Sequence, residues 1–510
     1  IICENIGFFL SGHLSLGATV NIGVNIGGQE FVIKNFFDFS MGRSITDMWD
    51  AGAKELAVLL ALFSGVWPYI KQIISLFLWL VPTTWVSVSR RESVYLWLDV
   101  LGKWSFVDIF VLVMSVVAFR VQVDNPLEVV LGDSLYGVDL MVVPVWGLYS
   151  NMIAQILSQF SSYVIIHYHR RIVRRFLVEN GYEQKDEPEH TNQALCDNVY
   201  DRYGMKKGQG LVLRRGVNAA IKVLALVIVM FIIIGCVWPS FSLETLGLVG
   251  IAVESGQQFQ QANRSYNIFT TVGVLMEQGR FVGGVPHFIG MTCLSVVLIA
   301  TVLLVPLAQL ALILQRWFGS VHSSHDRRKS AALIEALQAW QYVEVYILSI
   351  MVASWQLGPV SEFMINDYCG ALDGLFASLV RYGVLAETDA QCFRITATVR
   401  AGTWVLLAGG ILLGVISHFV RTAAKHQETD DAERSSCLKI NCQEMEEGVV
   451  VAIGDNASVI RPVIPRFTDY YRWLLISDKA ANKGQGQADN TSEETDVVHV
   501  TPKMLKQKTF

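Results

Sequence analysis

Four polar side chains stand inside long apolar runs of this 510-residue chain: Lys71, Asp108, Gln309 and Glu344. Each of the two acids lies about one turn inside the end of its predicted helix. A carboxylate at mid-bilayer costs about 2.5–3.5 kcal/mol on insertion scales, and a position nearer the edge still favours a partner. Groups of this kind either lock helices together by hydrogen bonds or form a polar path or proton-coupled switch. The residues leave both interpretations open.

The two acids differ in the polar residue that the preceding helix offers them. Lys71 can extend its long side chain toward the depth of Asp108, so a Lys71–Asp108 ion pair is predicted. Gln309 holds the equivalent position for Glu344. This acid is therefore expected to have no cation and to be protonated.

The acids belong to a motif that occurs twice. Residues 101–110 read LGKWSFVDIF and residues 337–346 read LQAWQYVEVY. In each copy a tryptophan, Trp104 or Trp340, is followed by an acid four residues later and then by an aromatic; the first copy also has Gly102. Tryptophans at such places are most often membrane-interface anchors. The duplication predicts two copies of one membrane module.

A proline precedes each copy by one apolar run. Pro68 is followed three residues later by Lys71, and Pro306 is followed three residues later by Gln309. A proline most simply kinks its helix, although broken helices also mark transport sites.

The composition predicts an all-α polytopic membrane protein with two repeated helical modules. Hydrophobic residues make up 52% of the chain and charged residues 17%, against about 25% charged residues in soluble domains. The mean hydropathy is +0.40. The net charge of −5 is spread over loops, so no nucleic-acid partner is expected. Because the first residue is Ile1, we expect a fragment or a processed product, with a signal peptide or domain upstream.

Apolar runs long enough to cross a bilayer predict seven spans. They lie at about 54–82, 104–120, 144–167, 219–239, 286–316, 340–357 and 402–420. The third is the most polar, and its polar face is expected to point toward other helices rather than lipid. The polar residues in it are Ser150, Asn151, Gln155, Ser158 and Gln159.

Clusters of Lys and Arg fall in alternate loops, which predicts that those loops are cytosolic. The N-terminal stretch then lies outside and the C-terminal tail inside. Asn263 begins a glycosylation sequon on the predicted outer side. Cys369 and Cys392 share one outer loop, where either a disulfide or two free thiols are possible.

Residues 19–36 alternate apolar and polar types around Gly27-Gly28, which predicts a β-hairpin. A weaker strand-like stretch covers residues 241–255. Each module is therefore expected to carry a small extracytosolic β element between its first two helices. Short amphipathic stretches before each tryptophan are either interfacial helices on the cytosolic leaflet or ordinary helix extensions.

Five predicted parts follow from these features. They are an extracytosolic segment with a β-hairpin (1–53), a first membrane module (54–167), a cytosolic linker (168–218), a second membrane module (219–420) and a cytosolic tail (421–510) that is disordered from about residue 478. The tail also holds an apolar patch at 448–476.

Over roughly residues 37–420 the chain resembles the paraquat-inducible protein A family of intermembrane lipid transport proteins. The resemblance rests on the paired order of features: a small and polar stretch ending in glycine (44–52 and 271–279), a proline helix, a basic interfacial segment and the tryptophan motif. It implies modules of four helices each, which act with an extracytoplasmic partner to move lipids between membranes.

The chain departs from that family in two respects. Members usually carry a Cys-x-x-Cys zinc ribbon before each module, and this sequence has no Cys-x-x-Cys, so neither zinc nor another cofactor is expected. The first module lacks an obvious first helix, because residues 1–18 contain Glu4, Asn5 and His13; that helix is expected upstream. The sequon, the long tail and the missing ribbons favour a eukaryotic member.

The sequence thus predicts a lipid-handling or lipid-transporting component of the plasma membrane or an endomembrane. Its expected partners are membrane lipids and an extracytosolic lipid-binding protein or upstream domain. The alternative is a seven-span receptor or a membrane scaffold or adaptor, although seven-span receptors show no two-module repeat. Enzyme activity is not expected, because the ten histidines are scattered and neither a Gly-x-Ser-x-Gly elbow nor a phosphate loop is present.

Overall fold

Helices dominate this computed structural model, and short strands form two small antiparallel sheets. The predicted fold class, a helical polytopic membrane fold of two modules with small β elements, is confirmed. The structure describes residues 1–26, 29–50, 52, 54–83, 85–124, 136–179, 195–198, 216–247, 249–251, 253, 263–282, 284–319, 324–369, 373–383 and 391–446.

The first module begins with a short helix and two strands and ends with a long helix. Its elements are α1 (Ile2–Leu14), β1 (Leu16–Ile26), β2 (Gln29–Ser40), α2 (Met41–Asp50), α3 (Lys54–Leu60), a π-helical stretch (Ala61–Val66), α4 (Trp67–Leu80), α5 (Val88–Gly102), a 3-10 turn (Lys103–Phe106), α6 (Val107–Ala118), β3 (Val121–Asp124), β4 (Tyr136–Pro144) and α7 (Trp146–Glu179). A 3-10 turn at Leu195–Asn198 follows it.

The second module has nearly the same order of elements. They are α8 (Val217–Val237), β5 (Phe241–Leu246), β6 (Asn263–Tyr266), α9 (Ile268–Val282), α10 (Val285–Ile299), a π-helical stretch (Ala300–Leu304), α11 (Val305–Phe318), α12 (Ser324–Trp340), α13 (Val343–Cys369), α14 (Asp373–Arg381), β7 (Arg394–Val399) and α15 (Ala401–Glu446). α9 begins with a reciprocal cap: the Asn267 side chain accepts from the Thr270 amide, and the Thr270 hydroxyl accepts from the Asn267 amide, both at 2.8 Å.

Six helical segments among the described residues are long and apolar enough to cross a membrane. They are Ala57–Leu80, Val88–Ala118, Val217–Val237, Val285–Phe318, Arg328–Glu362 and Ala401–Ala424. Each overlaps one of the seven predicted spans. The remaining prediction, 144–167, falls on α7, which is helical but too polar to be counted with the six.

Two sheets lie beside the helices. The first has the strand order β2-β1-β4-β3, and the second has the order β6-β5-β7. The predicted hairpin at 19–36 is confirmed, because β1 and β2 pair antiparallel from Leu16↔Ser40 to Ile26↔Gln29; the Gly27-Gly28 turn itself is outside the described residues. The sequence predicts none of β3, β4, β6 and β7. β4 and β7 show that each sheet also uses a strand from just before the last helix of its module.

Each proline helix widens into a π-helical stretch directly before its proline. The stretch Ala61–Val66 precedes Pro68, and the stretch Ala300–Leu304 precedes Pro306. A proline removes one amide donor, and its ring crowds the carbonyl four residues earlier. A π turn loosens the helix at that point, and such turns are frequent at functional sites.

Three sequence predictions need correction or lie outside the described residues. Residues 1–18, expected to lack a helix, form α1 (Ile2–Leu14), which packs on α7 as α8 packs on α15. The strand predicted over 241–255 ends at Leu246, because Gly247 has a φ of 84° and residues 249–251 are helical. The tail beyond residue 446, including the predicted apolar patch and disordered end, lies outside the described residues, as does most of the linker.

The two modules meet where α6 packs against α13. The ring centroids of Phe106 and Tyr342 are 4.5 Å apart, and those of Phe110 and Tyr346 are 6.2 Å apart. All four side chains are at most 1% exposed. Since Phe106 and Tyr342 hold the same position in the two motif copies, as do Phe110 and Tyr346, equivalent aromatic residues face each other across the interface.

Replacing Phe106 with alanine is expected to loosen this interface. A buried phenylalanine truncated in a packed core costs about 3–5 kcal/mol, because a cavity remains. The matched control is Phe160→Ala, since Phe160 is 57% exposed. Thermal unfolding in detergent should show a clear fall in Tm for the Phe106 variant and a small change for the control; equal changes would contradict the interface.

Candidate functional site

The polar face of α7 is buried in the centre of the protein. Its members are Ser150, Asn151, Gln155, Ser158 and Gln159, each at most 4% exposed. The prediction that this face points toward other helices is therefore confirmed. α7 contacts α1, α4, α5 and α12, so its polar side chains serve helices of both modules. This face supplies hydrogen-bond partners in a region where water is scarce.

Lys71 lies at the middle of this polar region. It is 2% exposed, and its ammonium group donates to the side-chain oxygen of Gln159. Asp99 is the carboxylate whose charge acts on it. The Gln159 amide group lies 3.4 Å from the Asp99 carbonyl oxygen and 3.3 Å from the Ala339 carbonyl oxygen. One glutamine thus joins α4, α5 and α7 of the first module to α12 of the second.

Gly102 leaves the space in which this contact forms. A Cβ atom at Gly102 would collide with the Lys71 ammonium group and the Gln159 side-chain oxygen. The glycine of the motif therefore has a packing role: it lets the lysine and the glutamine approach the backbone between α5 and α6.

A second cation crosses the module interface. Lys103, in the first module, forms a salt bridge with Glu344 in the second. The expectation that Glu344 has no cation is wrong. Its cation comes not from its own module, where the preceding helix offers only Gln309, but from the Gly-Lys-Trp sequence of the other copy of the motif.

Asp108 does not pair with Lys71, so the predicted ion pair is wrong. Its side chain accepts a hydrogen bond from the Asn151 amide at 3.2 Å, and Asn151 in turn accepts from Gln155 at 3.3 Å. Lys71 lies at the depth of Gly102, and the six residues from Gly102 to Asp108 correspond to roughly 9 Å along a helix. The Lys71 side chain therefore lies nearer the predicted cytosolic end of the helices than the Asp108 side chain does.

Gln309 is buried at 1% exposure, and its side-chain oxygen has no partner among the described residues. The second module places its cation differently. Arg421 on α15 donates to Gln338, which occupies the position of Gly102 in the second copy of the motif. In the first module the corresponding cation is Lys71 on α4.

An ion-pair bridge closes the predicted cytosolic end of the interface. Arg170 on α7 lies 2.7 Å from a Glu92 oxygen on α5 and 2.7 Å from a Glu335 oxygen on α12. The two acids belong to different modules, so the arginine holds the modules together. With Lys103–Glu344, it gives the modules two ionic contacts near this end.

A cavity opens on the other side of the polar region. It measures about 720 Å³ including its mouth and lies between α2, α6, α13 and the first sheet. A second lobe of about 460 Å³ lies between α1, α2, α6 and α7. Asp108 lines both lobes, as do Phe39, Ser44, Leu60 and Leu112. The walls are mainly apolar, and Asp108 stands where the two lobes meet.

The amphipathic helix α2 forms one wall of the cavity. Met48 is buried, and Ser44 and Asp47 on the same helix also line the cavity. Partial burial raises the pKa of the Asp47 carboxyl, while Arg43 lowers it and Asp50 raises it. The α13 side of the wall is supplied by Gln356, whose side-chain oxygen is buried without a described partner.

Sequence reasoning missed Lys103, Asp99 and the cavity. Lys103 was part of the repeated motif, and a search for a cation in the opposite copy would have identified it. The sequence places Gln159 on the polar face of the third predicted span but does not indicate its partners. The cavity depends on how α2 and the first sheet fold over the interface, which no short motif indicates.

The other predicted positions lie away from this region. Asn263 is exposed at the start of β6. Cys392 is disulfide-bonded; the Cys369 side chain lies outside the described side chains, so the predicted pairing stays a prediction. Among the described residues, no group of three or more His, Cys, Asp or Glu side chains is placed to hold a metal ion.

The family model of paraquat-inducible protein A matches residues 39–151 and 283–382, one segment in each module. The resemblance inferred from the repeated motif is confirmed. Searches among curated proteins and among solved structures gave no significant match.

Reversing one charge of the Lys103–Glu344 pair is expected to destabilise the protein, and reversing both to restore it. Glu344→Lys should lower the free energy of unfolding by roughly 1–3 kcal/mol, since Lys103 is buried and Glu344 is about half exposed. Lys103→Glu combined with Glu344→Lys should recover most of this loss in detergent unfolding.

Glu277→Lys is the matched control for this charge reversal. Glu277 pairs with Arg120 at 3.5 Å and is 70% exposed, so its reversal should change stability by less than about 1 kcal/mol. A double variant no more stable than Glu344→Lys alone would show that the two charges do not interact.

Proposed function

Because two segments of this chain, one in each module, match the family model of paraquat-inducible protein A, we propose that this multi-pass membrane protein binds lipids between its modules and transfers them between leaflets or membranes. The cavity beside α6 and α13 is the observation that carries the proposal. Its space of about 720 Å³ includes open solvent at its mouth, and its mainly apolar lining with a few polar groups is typical of ligand sites.

The lining of the cavity suits an amphiphile. Phe39, Leu112 and Leu357 provide apolar surface, and Asp108 and Ser44 provide polar groups. An apolar wall with a few placed polar groups is the usual composition of a binding site. A lipid could lay part of its chain along the apolar wall and turn its head group toward Asp108.

The more buried ionic contacts between the modules lie at one end, whereas the pair at the other end, Arg120–Glu277, is longer and its acid is 70% exposed. Lys103–Glu344 and the Arg170 bridge join the modules near the predicted cytosolic end, whereas the cavity lies toward the opposite end of α6. We infer that a lipid enters or leaves on the extracytosolic side. Release to the cytosolic side would require these ionic contacts to separate, as modules of transporters do when they rock against each other.

The same proposal predicts the partner, the membrane and the energy source of the protein. A lipid that leaves on the extracytosolic side needs an acceptor, which is the role of the expected lipid-binding partner or upstream domain. The chain would act in the plasma membrane or an endomembrane, with its tail in the cytosol and a glycan on Asn263. The energy would come from a partner or an ion gradient.

Photo-crosslinking from inside the cavity tests lipid binding. Benzoylphenylalanine in place of Phe39, which lines both lobes, should capture a saturable set of lipids in cell membranes. Ser44→Trp, which fills the cavity, should reduce that capture at least fivefold. The captured lipids are identified by mass spectrometry.

The matched control is benzoylphenylalanine at Phe77, which is 51% exposed on a predicted span. It should capture bulk membrane lipid and be insensitive to Ser44→Trp. The proposal would be overturned if the probe at Phe39 captured no lipid. It would also be overturned if that probe captured the same bulk lipid mixture as the probe at Phe77 and Ser44→Trp did not reduce the capture.

Glycosylation tests the sidedness on which the direction of access depends. When the chain is expressed in eukaryotic cells, Asn263→Gln should abolish the mobility shift that a glycosidase removes, because Asn263 is exposed on β6. The sequence carries two further sequons at Asn456 and Asn490, in the predicted cytosolic tail. A glycan that persists in Asn263→Gln would place the tail outside and contradict the predicted orientation.

A further inference from the structure

The first sheet carries one apolar face from the cavity toward its outer end. Val20 on β1 is paired with Phe37 on β2 and with Val142 on β4, and the latter two residues line the larger lobe of the cavity. Directly opposed residues of an antiparallel sheet have their side chains on the same face. Because alternate residues of a strand also share a face, Ile22 and Val24 continue the face of Val20 outward along β1.

Beyond the cavity this face is open. Ile22 is paired with Ile33 on β2 and with Leu140 on β4. Val24 is paired with Phe31 on β2. We call these five residues the outer apolar face. Phe31 is 54% exposed and Ile33 is 53% exposed, so the described part of the protein leaves about half of each side chain uncovered.

An irregularity in β2 preserves the continuity of this face. Between two paired positions β1 has Asn21 alone, whereas β2 has residues 34–36. The difference is two residues, and an even number keeps Ile33 on the same face as Phe37. The irregularity is held by a hydrogen bond: the Asn35 amide, at a φ of 58°, donates to the Asn21 side-chain oxygen at 3.0 Å.

The second sheet differs from the first at its outer end. β5 has six residues and β6 has four, whereas β1 has 11 and β2 has 12. Every large apolar side chain of the described strands β5, β6 and β7 is buried or partly buried. The outer end of β6 carries the sequon residue Asn263 instead. The open apolar face thus belongs to the module that supplies most of the cavity wall.

We propose that the outer apolar face guides an acyl chain of the transported lipid from the cavity to an acceptor on the extracytosolic side. The inference rests on the proposed function. A chain that leaves the cavity would expose hydrocarbon to water, which is unfavourable in proportion to the exposed area. From Val20 to Val24 the face extends about 13 Å along β1, so the chain keeps one side covered over that distance. Continuity with the cavity favours a lipid chain over a protein segment as the occupant.

Photo-crosslinking from the outer apolar face tests this path. Benzoylphenylalanine in place of Phe31, in the full chain in cell membranes, should capture the same lipids as the probe at Phe39. Ser44→Trp should reduce this capture at least fivefold, because the chain reaches Phe31 through the cavity. The control is the same probe at Tyr382, which is 81% exposed in the predicted outer loop of the second module and should capture no lipid.

A charge placed between the cavity and Phe31 should block the path. Ile33→Asp should lower capture at Phe31 at least fivefold and leave capture at Phe39 within twofold. Ile33→Val is the matched control, since it keeps the apolar surface and should change neither capture. If Ile33→Asp fails to fold, the effect of Ser44→Trp on capture at Phe31 still decides the question.

The outcomes distinguish this inference from the function on which it rests. If the probe at Phe39 captures lipid and the probe at Phe31 does not, lipid binding in the cavity stands and the path along the sheet is overturned. If neither probe captures lipid, the proposed function fails as well. Capture at Phe31 of bulk lipid that Ser44→Trp does not reduce would show that this face rests on the membrane. Capture of a protein there would show that a partner covers it. Either result overturns the inference.

Discussion

The structure depends on the need to satisfy polar groups that are buried among apolar helices. Lys71 would be costly at this depth without a partner, and Gln159 provides one. Gln159 is positioned by α7, and the contact fits only because position 102 has no side chain. A polar helix that would be a poor membrane span by itself is therefore retained at the centre, where lysine, glutamine and backbone carbonyls satisfy one another.

This constraint also explains why the two modules are similar but not equivalent. The first supplies Lys71 from its proline helix, while the second has Gln309 there and uses Arg421 of its last helix beside Gln338. Lys103 has no counterpart cation in the second copy, since Ala339 stands at that position. The single lysine then pairs with the acid of the other module. This pairing between the two copies of the motif joins the modules, and it leaves Asp108 without a cation among the described residues.

Much of the fold could be predicted because its signals are local. Apolar run length identifies the spans, alternation identifies the β1–β2 hairpin, and the repeated tryptophan motif identifies the two modules. The pairing of polar residues could not be predicted from one copy of the motif at a time. The Lys71–Asp108 prediction assumed partners within a module at similar depth, whereas the lysine is held about two turns away and the cation for Glu344 crosses the interface.

Because the two modules carry different polar residues, the two ends of their interface differ. Near Lys103 and Arg170, opposite charges meet and draw the modules together. Farther along α6, Asp108 forms no such pair with any described residue, and a cavity lies there instead. An acid held by one neutral amide can exchange partners at lower cost than an acid in an ion pair, because no opposite charge has to be separated. The position best able to receive a ligand is thus Asp108, to which the described residues of the second module offer no partner.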